Sequence, residues 1–142
     1  MDSTEDILTV NNLGLLHLSM GKYSSAEAYL NDALIKRQAN KSDSIGYTAI
    51  LNNLGVLYKN QGKFNESEKY LSNSANLLKE TYGENNIQYA IVLNNLAMMN
   101  QSVNRIADAE KLMKKAVEIT GNNTKEKAQT YVKLNVNLAL MY

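Results

Sequence analysis

Asn52-Asn53-Leu54-Gly55-Val56-Leu57 is the stretch on which the reading turns, because the chain holds it more than once. It stands upstream as Asn11-Asn12-Leu13-Gly14-Leu15-Leu16 and downstream as Asn94-Asn95-Leu96-Ala97-Met98-Met99. A weaker copy is Val136-Asn137-Leu138-Ala139-Leu140-Met141. The shared leucines Leu13, Leu54, Leu96 and Leu138 lie 41, 42 and 42 residues apart. A second feature keeps the same period. Gly21-Lys22-Tyr23 with Ala26-Glu27 recurs as Gly62-Lys63-Phe64 with Ser67-Glu68, then as Asn104-Arg105-Ile106 with Ala109-Glu110. Self-similarity at a fixed period of this length marks a stacked-repeat architecture. The chain reads as one domain over 1–142, with repeats at roughly 5–42, 43–84 and 85–123 and a half repeat at 124–142.

Each repeat reads as two helices. In the second, Ile50, Leu51, Leu54, Leu57 and Tyr58 recur at steps of three and four, which is one face of an α-helix. Gly62 interrupts the run. Phe64, Tyr70, Leu71, Ala75 and Leu78 carry the next apolar stripe, and Gly83 suits the left-handed position just past a helix end. Nothing alternates over a strand length, so the expected fold is all-α with seven helices. Gly14, Gly55, Ala97 and Ala139 hold equivalent places in the first helix of each unit. Ala26, Ser67 and Ala109, then Ala33, Ser74 and Ala116, do so in the second. An internal Gly costs a helix about 1 kcal/mol relative to Ala, so its recurrence points to close approach between packed helices.

Composition narrows the function classes. The 142 residues carry 15 Lys+Arg against 14 Asp+Glu, a net charge of +1, which gives no field for non-specific nucleic-acid or membrane binding. With no Cys there is no disulfide, thiolate metal site or thiol nucleophile. The lone histidine, His17, occupies the slot of Tyr58 and Asn100, and a helix-packing role suits it better than catalysis or metal binding. Glu27, Glu68 and Glu110 recur too far apart to converge as a carboxylate pair. We expect no enzyme activity, cofactor, metal, nucleic acid or membrane span. The acidic start, Met1 to Asp6, is unlike a signal peptide and points to the cytoplasm.

At the Asn-Asn-Leu-Gly/Ala cores and the Gly-Lys-aromatic turns the chain resembles the tetratricopeptide repeat family. The resemblance is to its long-repeat form of about 42 residues, found in kinesin light chains and bacterial multi-repeat proteins. It covers essentially the whole chain. Tyr82-Gly83-Glu84-Asn85-Asn86-Ile87 is similar to that subfamily's Gly-Glu-x-His-Pro linker with His and Pro replaced, and Asn104 stands where a turn Gly is expected. The resemblance implies a right-handed α-solenoid of antiparallel helix pairs, three and a half repeats long, whose first helices line a concave groove.

Asn12, Asn53, Asn95 and Asn137, each just before the packing Leu, are then expected to form a ladder along that groove, flanked by Asn11, Asn52 and Asn94. An amide offers donors and acceptors to the N–H and C=O of an extended peptide whatever its side chains. Leu8, Ala49, Ile91 and Lys133 come one turn earlier; Leu15, Val56, Met98 and Leu140, then Lys59 and Gln101, come beyond. So mixed a surface, with Lys59 and Lys133 not arranged as a carboxylate clamp, fits an extended, largely uncharged peptide or partner segment. The expected function is a non-catalytic protein–protein interaction scaffold. Two alternatives stand beside it: a sensory or recruiting array of a larger bacterial signalling protein (histidine kinase or CHAT-type protease), or a self-associating module. In the last, Leu134, Leu138, Leu140 and Met141 on an uncapped final helix would pair two copies as a homodimer.

Overall fold

The computed structural model describes residues 3–39 and 44–121. Six helices follow one another: α1 (Ser3–Ser19), α2 (Tyr23–Ala39), α3 (Ser44–Asn60), α4 (Phe64–Tyr82), α5 (Ile87–Ser102) and α6 (Ile106–Gly121). There is no strand among the described residues. Six helices rather than the expected seven are therefore on view. The seventh was placed over 124–142, so Lys133, Asn137 and the self-association set Leu134, Leu138, Leu140 and Met141 lie outside the described residues.

Each repeat folds back on itself through the same turn. Gly21, Gly62 and Asn104 all adopt positive φ, at 73°, 76° and 64°. The residue after each closes the helix end: Lys22 N–H donates to His17 C=O at 2.9 Å, Lys63 to Tyr58 at 2.8 Å and Arg105 to Asn100 at 2.8 Å. A left-handed residue after the last turn lets the chain satisfy carbonyls that the helix leaves open. Asn at the third turn is the non-glycine residue that tolerates this conformation best, which is why the missing glycine leaves the turn unchanged.

The chain divides into two units, Met1–Ser74 and Ala75–Tyr142, with the division inside α4. In the first, Ile7, Val10 and Leu18 of α1 share a core with Ala26, Leu30 and Ala33 of α2 and Ile50, Leu54 and Leu57 of α3. Here the recurring spacing of small residues acquires a physical cause. A Cβ on Gly14 would stand 2.7 Å from Leu30 Cδ2, and one on Gly55 2.5 Å from Leu71 Cδ2, both well inside van der Waals contact. Ser67 Oγ donates to Gly55 C=O at 2.7 Å and Ser74 Oγ to Thr48 C=O at 2.9 Å, so these buried hydroxyls are satisfied by the facing helix. At the rim, Lys36 joins Asp6 of α1 at 2.8 Å and Asp32 at 3.1 Å, and both carboxylates, Asp6 first, raise its pKa.

In the second unit α5 packs against α6. Val92, Leu93, Leu96 and Met99 are buried on α5, and Ala109, Met113, Ala116 and Ile119 on α6. Asn86, where the resembling linker carries His, is the N-cap of α5: its Oδ1 accepts from Gln88 N–H at 2.8 Å and Tyr89 N–H at 3.1 Å. Ile87 is then the first helical residue, the position at which Pro is favoured elsewhere. Glu84 lies between Lys79 and Lys115, 3.1 Å from each, and the two ammonium groups, Lys115 first, hold its carboxyl below the usual range.

A candidate peptide-binding face on the first helices

The first helix of each pair presents one accessible stripe. On α1 it is Leu8, Asn12 and Leu15, all exposed; on α3 it is Ala49, Asn53 and Val56, all half-buried. α1 and α3 touch within the first unit, and the amides meet there. Asn53 Nδ2 donates to Asn11 Oδ1 at 3.1 Å. This pair joins Asn53 not to its equivalent, Asn12, but to the residue before it, so the amides interlock diagonally. One N–H of Asn53 is occupied in this way. Its Oδ1 and second N–H, and the whole amide of Asn12, take no part in bonding among the described residues.

The stripe recurs on α5 as Ile91, Asn95 and Met98, each half-buried, with Gln101 exposed beyond. Asn94 differs from the other expected ladder residues. It is 5% exposed and its Nδ2 lies 3.9 Å from Met98 Sδ, a weak acceptor. It offers a ligand little. Asn11 and Asn52 are half-buried on the flank of the stripe.

Charge is sparse here. α5 carries none, α3 only Lys59, and α1 none from Ile7 to Ser19 beyond His17. Lys59 is half-buried, and burial lowers the pKa of its ammonium. Sequence reasoning included Lys59 in the set but had no means of seeing that it would be partly desolvated. Lys36, Lys79, Lys114 and Lys115, each in an ion pair, all stand on second helices, while the described stripes of the first helices present amides and apolar steps.

Aromatic residues occupy the back of these helices. Tyr58 is buried, stacked on Tyr70 at 5.5 Å between ring centroids, with Lys63 Nζ 5.8 Å above its ring and its hydroxyl donating to Glu27 Oε2 at 2.8 Å. Burial, then the neighbouring Glu27, push the Tyr58 pKa up. His17 repeats the arrangement in the first pair, 5.1 Å from the Tyr29 ring. It packs, as its lone occurrence suggested. Nothing in the sequence had linked Tyr58 to Glu27, although Glu27 recurs at the repeat period as Glu68 and Glu110. Among the described residues no three His, Cys, Asp or Glu gather as metal ligands, and no helix is long and apolar enough to cross a membrane.

Residues 47–121 match the family model described as tetratricopeptide repeat, and residues 8–40 match another of the same description. The chain belongs to the tetratricopeptide repeat family. Among solved structures, BtubC (BKLC) from P. vanneervenii superimposes with a TM-score of 0.87 at 22% identity, covering 100% of this chain and 57% of that one. TPR-like repeats of a Podosopora anserina protein assigned as a kinesin light chain give 0.85 at 15% identity, covering 100% of this chain and 68% of that one. At these identities the likeness is one of fold. The chain therefore spans little more than half the length of the first of these neighbours. No curated protein sequence matches. Tetratricopeptide repeats mediate protein–protein interaction, and the fold is a scaffold type.

Proposed function

We propose that this tetratricopeptide-repeat chain is a non-catalytic interaction module of the cytoplasm that binds an extended, largely uncharged peptide segment along its first helices α1 and α3. One observation carries the reading. On the α1–α3 face, Asn12 and Asn53 keep donors and acceptors unused by the fold, set between apolar steps at Leu8, Leu15 and Val56. A strand lying there can pair its backbone N–H and C=O with the amides while its alternate side chains reach the apolar steps. Asn11 holds Asn53 in place through the 3.1 Å bond rather than meeting the guest itself. On α5 a half-buried Asn95 stands between Ile91 and Met98, with Gln101 exposed beyond.

Panning a displayed peptide library against the full chain supplies a ligand whose affinity is then measured by calorimetry. Loss of two peptide-bonding amides in Asn12→Ala/Asn53→Ala removes about 2 kcal/mol, or roughly thirtyfold in affinity. The melting temperature stays close to that of the parent. Unchanged affinity in the double variant, or a fold that collapses without these amides, refutes the reading.

A further inference from the structure

Three lysines among the described residues are half-buried: Lys36 on α2, Lys59 on α3 and Lys115 on α6. Two of them meet carboxylates. Lys36 Nζ lies 2.8 Å from Asp6 and 3.1 Å from Asp32, and Lys115 Nζ lies 3.1 Å from Glu84. These partners, Asp6 and Glu84 first, raise both pKa values. The side chain of Lys59 makes no hydrogen bond or ion pair among the described residues, and burial acts on it alone.

Position ties Lys59 to the peptide face. It follows Val56 by three residues and Asn52 by seven, on the flank of the α3 stripe and one turn beyond Val56. No other Asp, Glu, Lys or Arg stands on α3, and α1 has none from Ile7 to Ser19. At the equivalent place Leu18 of α1 is buried, and Gln101 of α5 is exposed and neutral. Neither leaves a charge partly dried. A partly desolvated ammonium with no fixed partner is unfavourable in the free protein. The same desolvation strengthens its attraction to an anion that arrives from outside.

Given the peptide face proposed above, on which this reading rests, we infer that Lys59 receives one carboxylate of the guest, in a segment otherwise uncharged. A lone ammonium acts as a point charge, so it selects a single acidic group and gains nothing from further ones. Lys59 stands six residues after Asn53. At 1.5 Å per residue that is about 9 Å along the helix, a distance an extended strand covers in about three residues. The acidic group is therefore expected about three residues from the one whose backbone pairs with Asn53.

The probe is the peptide selected by panning, synthesised with a free and with an amidated C-terminus and titrated into the full chain by calorimetry. Replacing its Asp or Glu by Asn or Gln weakens binding about tenfold. Lys59→Met, which keeps a long apolar stem, does the same. The two losses combined are no larger than either alone, because both remove one contact. A loss on amidation instead, again absorbed by Lys59→Met, supports the inference with the peptide's own terminus as the carboxylate. Without peptide, Lys59→Met melts at or above the parent's temperature, since no partner is lost and a dried charge is removed. A clearly lower melting temperature assigns Lys59 to the fold and overturns the inference. Binding that is lost in Asn12→Ala/Asn53→Ala but unchanged in Lys59→Met overturns it too, and leaves the peptide face standing. Binding indifferent to all three residues overturns both.

Discussion

At Asn104 the backbone turns through φ 64°, at the place where Gly21 and Gly62 turn through 73° and 76°. A side chain with a Cβ is penalised there by about 1 kcal/mol, less for Asn than for other residues. Asn104→Ala is therefore expected to lower stability by about 1 kcal/mol, and Asn104→Gly to leave it unchanged or slightly higher, both read by urea unfolding. The turn was legible from spacing alone because it is local: its geometry depends on a few residues and their hydrogen bonds. The amides were legible only in part. That Asn recurs before Leu is written in the sequence, but which way each amide turns depends on neighbours a whole repeat away. Hence Asn53 meets Asn11 across 42 residues, and Asn94 is buried while Asn52 is not.

Between helices, propensity and packing make opposite demands at Gly55. Replacing a helical Gly by Ala gains about 1 kcal/mol in propensity, yet the added Cβ would overlap Leu71. Overpacking in a filled core costs typically about 1–3 kcal/mol, so Gly55→Ala is expected to be net destabilising, by about 1 kcal/mol in denaturant titration. The third repeat shows how the sequence itself relieves the conflict. There Ala97 takes the Gly place and Met113 the Leu place, both buried. A thioether chain unbranched at Cγ can bend aside where Leu cannot. Leu71→Met in the Gly55→Ala background should then recover most of the loss, whereas the two changes acting separately would simply add. The exchange was visible in the alignment of the repeats; its meaning was not, because the contact joins two helices.

Across the molecule, charge is sorted by helix type: α2, α4 and α6 carry most of it, while α3 and α5 together carry Lys59 alone. Acid sensitivity should accordingly arise from the second helices and the linkers. Glu84 is an example, its carboxyl held low by Lys115 and Lys79. A carboxylate with a depressed folded pKa adds stability above its unfolded pKa, and that stability is lost as pH falls through the folded value. The parent should therefore lose more melting temperature than Glu84→Gln as pH falls from about 5 to about 3. Equal losses in the two proteins would show that the exposed pair contributes nothing, as many surface ion pairs do. The periodicity, the helix types and most core positions could be read directly, since each repeat supplies an internal control for the others.

Each turn is closed by bonds spanning only three to five residues, Lys63 to Tyr58 being typical. Contacts so near in sequence are cheap in loop entropy and quick to form. A nascent chain can thus close the α1–α2 hairpin as soon as Ala39 has emerged from the ribosome, before α3 has emerged. Synthesis itself then sets the order of assembly, each finished hairpin offering a template on which the next one condenses.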